Sequence, residues 1–70
     1  MNIGEAVEAL WAHKKVQRSG WNGKNMYIYL ESSGTRFEPY IVMKTADNKL
    51  QPGWLASQAD LLAFDWELYE

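Results

Sequence analysis

The stretch Arg18 to Leu30, RSGWNGKNMYIYL, decides the reading of the fold. In its second half, Met26, Ile28 and Leu30 share one face and Tyr27 and Tyr29 the other, which is the period of a β-strand. Both faces are apolar enough to be covered. The first half gathers Trp21, Asn22 and Lys24 around two glycines, Gly20 and Gly23, where a bare connector needs only turn residues. In one reading this is architecture: the glycines supply positive φ, Asn22-Gly23 is a hairpin pair, and Trp21 covers a core edge. In the other, the turn holds a ligand and offers backbone N–H groups and Lys24 to an anion.

Upstream, residues 2–13 form an amphipathic helix, with Ile3, Ala6, Val7, Leu10 and Trp11 along one face. Asn2 and Glu5 stand at capping-box spacing, and His13, Lys14 and Lys15 bring positive charge to the negative end of the helix. A short strand at Val16 to Arg18 leads into the turn. Downstream, Ser32-Ser33-Gly34-Thr35 reads as a hairpin loop, Phe37 to Thr45 as the next strand and Asp47-Asn48-Lys49 as a turn. Pro52-Gly53 delivers Trp54 into a second helix, where Ser57 and Asp60 stand at capping-box spacing and Leu61 and Leu62 supply buried contacts. Asp65 to Tyr69 is the last strand. The expected class is α+β: an N-terminal amphipathic helix packed on a small antiparallel sheet, with a short second helix before the last strand, in one domain spanning residues 1–70.

Seventy residues with ten aromatics, four of them tryptophan, carry more ring surface than so small an interior accepts, so some rings are expected to line a surface or an interface. The absence of cysteine excludes disulfides and thiolate metal sites. No leader-like N-terminus and no apolar run near the roughly 18 residues of a membrane span are present, so the reading is cytoplasmic, with no membrane partner. A net charge of -2 argues against a dedicated nucleic-acid binder.

Catalytic signals are weak. The lone histidine, His13, stands at a helix end, without the constellation a nucleophile needs. Zinc requires three or four converging ligands that one histidine and no cysteine do not supply. A magnesium site drawn from Asp60, Asp65 and Glu67 has no favouring spacing, and Asp60 reads as a capping residue. SGWNGK has neither P-loop nor dinucleotide-fold spacing. The residues therefore offer no catalytic set, no metal site and no cofactor motif. Trp66, alternating with Asp65 and Glu67, reads as core. Trp54 suits either a core anchor or a stacking platform, with Ser57 and the helix start near a phosphate.

GEAVEALW, KKVQRSGWNGKNMYIYL, PYIVMKTADNKL and PGWLASQADLLAFDWELYE, in that order, resemble the phage-encoded Thoeris anti-defence sponge family of the second type, over nearly the whole chain. The resemblance implies a non-enzymatic protein that sequesters glycocyclic ADP-ribose signals, and in some members cyclic dinucleotides, without cleaving them, in pockets shared between the protomers of a homotetramer built from dimers. It also implies the cytoplasm of a bacterial host. It carries ligand binding to Arg18, Trp21, Asn22 and Lys24 in the R-x-G-W-N-G-K segment and to Trp54, Ser57, Gln58 and Asp60 in W-x-x-S-Q-x-D, with Asp65 and Trp66 in a terminal D-W. Two positions depart from the pattern: His13 replaces an expected glycine, and Phe64 an acidic residue. The alternative is a small single-stranded nucleic-acid-binding module using the aromatic sheet with Lys14, Lys15, Arg18 and Lys24.

Overall fold

The computed structural model describes residues 1–32, 34 and 36–70. Helix α1 (Ile3–Trp11) opens the chain and is followed by strands β1 (Val16–Arg18), β2 (Tyr27–Glu31), β3 (Tyr40–Lys44) and β4 (Leu50–Pro52). Helix α2 (Gln58–Leu62) precedes the last strand, β5 (Trp66–Leu68). The five strands form one antiparallel sheet in the order β4-β3-β2-β1-β5, so the chain's last strand lies beside its first. The architecture is the expected α+β.

Local chemistry accounts for both ends of α1. Asn2 accepts from the Glu5 backbone N–H at 2.9 Å while the Glu5 carboxylate accepts from that of Asn2 at 2.9 Å, a complete capping box. At the far end His13 takes the left-handed conformation, φ 63°. Its N–H donates to the Leu10 carbonyl at 2.9 Å, and the Lys14 N–H donates to that of Ala9 at 3.0 Å. That pair of bonds is the Schellman motif, and it explains why a glycine suits position 13.

The core lies between α1 and one face of the sheet, where Ala6, Leu10, Val16, Ile28, Met43 and Trp66 are buried together. Only the central line of the helix is covered. Trp11, expected on the buried face, is 60% exposed, and Val7 is exposed as well, because a nine-residue helix crossing so narrow a sheet touches it along a single ridge. On the opposite face Tyr27 stacks on Tyr69 with ring centroids 4.6 Å apart, and the Lys15 ammonium sits 4.7 Å from the Tyr27 centroid. These side chains shield one another, leaving both tyrosines of β2 half-buried.

Several expectations are corrected. Strand β3 begins at Tyr40 rather than Phe37, since Pro39 has no N–H to donate to the ladder. Strand β4, unforeseen, pairs Leu50 with Lys44 and Pro52 with Val42 at the sheet edge, the position where a proline is tolerated. Trp54 precedes α2 instead of entering it. Leu61 and Leu62 are 50% and 69% exposed, and the buried residue of α2 is Asp60. Of the loop expected at residues 32–35, Ser33 and Thr35 lie outside the described residues.

Candidate ligand-binding groove

Pairing of β1 with β5 sets Arg18 opposite Trp66, and so brings the chain just before β5 to the start of the Ser19–Asn25 turn. Asp65 grips that start. Its carboxylate accepts from Arg18 Nε at 2.8 Å and from the Gly20 N–H at 2.8 Å, and its backbone carbonyl accepts from the Ser19 N–H at 3.1 Å. The far end of the turn is held by Lys44, whose ammonium donates to the Asn25 carbonyl at 2.7 Å. Asn25 itself adopts positive φ, 60°.

The two glycines serve another purpose than expected, as neither has positive φ. A Cβ on Gly20 would stand 2.7 Å from Asp65 Oδ2, and one on Gly23 would collide with the Met26 side chain and press on Ala46. Both sit at close approach, where a Cβ would force the facing side chain to move. Asn22-Gly23 is accordingly no tight hairpin pair, and β1 and β2 meet in register only at Val16 and Ile28.

Trp21 is half-buried and makes edge-to-face contacts with Trp66 at 5.4 Å and Trp54 at 6.3 Å between centroids; Trp54 and Trp66 complete the triangle at 6.2 Å. Its indole N–H donates to Asp60 Oδ1 at 3.1 Å. Beside this ring runs an open groove of about 400 Å³, walled by Arg18, Lys24, Asn25, Gln17, Glu67 and Tyr69. Trp21 is thus both a cover on the core edge and a wall of a cavity.

Of the residues singled out in the sequence, Arg18, Trp21 and Asp60 are joined by hydrogen bonds, with Ser57 attached through the second capping box and Trp54 packed against the Trp21 ring. Lys24 lines the groove. Asn22 and Gln58 are exposed, Asn22 on the turn and Gln58 on the first turn of α2. Sequence reasoning passed over Tyr69, Gln17 and Glu67 as groove walls and Asp65 as the anchor of Arg18. The signal available for Asp65 was strand register: once Val16–Arg18 pairs with the terminal strand, residue 65 falls next to Arg18.

A family model described as the Thoeris anti-defense 2-like domain matches residues 1–69. The chain is also 44% identical, over 84 aligned positions, to the Thoeris anti-defense 2 protein of Bacillus phage SP01, an alignment covering 97% of this chain and 93% of the phage protein. The chain belongs to the Thoeris anti-defense 2-like family. Its broad role is therefore phage anti-defence.

Three charged residues of this Thoeris anti-defense 2-like domain form one cluster. Arg18 donates from Nη1 to Asp60 and from Nε to Asp65, each at 2.8 Å, so one guanidinium serves two carboxylates. Hydrogen bonds donated to Asp65 and then to Asp60 push the Arg18 pKa up, against some desolvation. Burial on its own would raise the Asp60 pKa, but hydrogen bonds from Arg18, Trp21 and Ser57 outweigh it and hold the carboxyl below the usual range. Asp65 is lowered chiefly by its bond from Arg18, with the Gly20 N–H adding to it. Among the described residues, two of the five guanidinium N–H donors are engaged. Among the described residues, no helix is long and apolar enough to cross a membrane.

Proposed function

We propose that this Thoeris anti-defense 2-like protein sequesters cyclic nucleotide immune signals, glycocyclic ADP-ribose and in addition cyclic dinucleotides, without cleaving them. The observation that carries the reading is the position of Trp21, an indole braced by two other tryptophans and standing in the wall of a groove that also contains Arg18 and Lys24. In this reading Trp21 stacks on a base, Lys24 and Arg18 meet phosphate, and Asn22 hydrogen-bonds base edges or ribose hydroxyls. Trp54, Ser57 and Asp60 belong to the site through the cluster that holds Trp21 and Arg18.

A sponge must outcompete a receptor, and nanomolar affinity corresponds to about -12 kcal/mol. One aromatic stack supplies about 1–3 kcal/mol and each charge-assisted hydrogen bond about 1.5–3, so several contacts must act together away from water. An open groove on one 70-residue protomer does not exclude water around a dinucleotide-sized molecule. Walls from further copies of the chain would do so, and the homotetramer built from dimers is part of the proposal. It is supported by the apolar surface around α2, where Leu55, Leu61, Leu62 and Phe64 are all exposed, Phe64 by 83%.

The test incubates the protein with glycocyclic ADP-ribose, removes unbound ligand, heat-denatures the complex and chromatographs the supernatant, with sedimentation velocity on the same sample. Intact ligand released from an oligomer is expected, together with loss of about fivefold or more in affinity for Trp21→Ala, the weight of a stack of about 1–3 kcal/mol. A degraded product would make the protein an enzyme. A monomer with no retained ligand would dismiss the sponge.

A further inference from the structure

Asp60 is placed where direct contact with a ligand would waste it. The residue is only 8% exposed, and both carboxylate oxygens are occupied. Oδ1 accepts from Arg18 Nη1 at 2.8 Å and from Trp21 Nε1 at 3.1 Å, while Oδ2 accepts from the Ser57 backbone N–H at 3.1 Å. Its backbone carbonyl accepts from the buried indole of Trp66 at 2.9 Å. Strand β1, the Ser19–Asn25 turn, the start of α2 and strand β5 therefore converge on a single residue.

We propose that Asp60 is a positioning residue: without touching the ligand, its carboxylate fixes the Trp21 indole and the Arg18 guanidinium in one orientation at the groove wall and couples that orientation to α2. The inference rests on the reading of the groove as a ligand site. An indole has a single N–H, so a bond from it selects one rotation of the ring out of those that packing allows. A guanidinium is planar, so two carboxylates on different edges, Asp60 on Nη1 and Asp65 on Nε, set its plane and direct the remaining donors. Rigid side chains lose less entropy when a ligand arrives, which turns the same contacts into higher affinity. Because Asp60 also closes the α2 capping box, any contact that shifts the exposed leucines of α2 is transmitted to the ring and the guanidinium.

Geometry and charge are separated by comparing Asp60→Asn, which keeps an oxygen at the Oδ1 position, with Asp60→Glu, which keeps the charge but moves it outward by one methylene. The first readout needs no ligand: hydrogen exchange of the Trp21 indole N–H by NMR. The second is affinity for glycocyclic ADP-ribose, measured by calorimetry. The expectation is that Asp60→Asn, which gives up the charge facing Arg18 and the Ser57 N–H bond but keeps an acceptor for the indole, stays within about threefold of wild type in indole exchange, while Asp60→Glu exchanges and binds at least tenfold worse, the scale set by about 1.4 kcal/mol per decade. Asn2→Ala, which removes the α1 cap and none of the bonds to Trp21, Arg18 or Asp60, controls for simple destabilisation and is expected to leave indole exchange unchanged. If Asp60→Glu protects the indole as wild type does, or Asp60→Asn exposes it while Asp60→Glu does not, the positioning role is overturned whatever the ligand does. If wild type fails to bind the probe yet the exchange pattern holds, the ligand reading falls and the positioning of Trp21 stands.

Discussion

Gly20 shows how one residue's lack of a side chain sets the geometry of a cluster. Its N–H must approach Asp65 closely enough to bond at 2.8 Å, and an added methyl would stand 2.7 Å from the same carboxylate. Gly20→Ala is expected to swing Asp65 away from Arg18 and lower the unfolding midpoint by about 5 °C or more, as overpacking in a small domain does; a calorimetric scan beside wild type checks it. An unchanged midpoint would mean that the carboxylate relaxes freely. Trp21 shows how two readings of a residue coexist: one edge of its ring packs against tryptophans and its flank faces a groove. The sequence offered these as alternatives because a ring wider than the core edge it covers has surface left over.

At the scale of elements, α1 was legible almost to the residue, since its start is capped by side chains three positions apart and its end by backbone bonds within a few residues. His13 at φ 63° carries a cost that glycine would not. His13→Gly is therefore expected to stabilise the fold by about 1 kcal/mol, read as a higher denaturant midpoint with an unchanged slope; a lower midpoint would show that the imidazole contributes more than the backbone strain removes. Strand β4 and the exposure of α2 were not legible. Three residues ending in proline carry no alternating pattern, and Leu61 and Leu62 read as buried only if one assumes that every leucine of a short helix meets the core.

Over the whole molecule, the cluster of one guanidinium and two carboxylates predicts a response to acid. Asp60 and Asp65 both have pKa values held below the ordinary carboxylate value of 3.8, so they favour the folded state fully above that value. That contribution is lost as pH falls through their lowered values. Arg18 stays charged throughout. The expected outcome is a thermal midpoint that drops below about pH 4, with a shallower acid limb in Asp65→Asn because one of the two titrating groups is gone. An identical limb in the variant would assign the acid sensitivity to other carboxylates.

What the sequence determined by itself were features built from neighbours: the helical period from residue 3 to 11, both capping boxes, the alternation of β2 and the class of fold. These arise from contacts spanning only a few residues, which leave a periodic or spaced signature. The union of Arg18 with Asp65 and Asp60, 47 and 42 residues apart, the burial of Asp60 and the groove beside Trp21 were decided only by tertiary structure. They depend on the last strand returning to pair with the first in one register, and no residue near Arg18 records where the chain's end will come to lie.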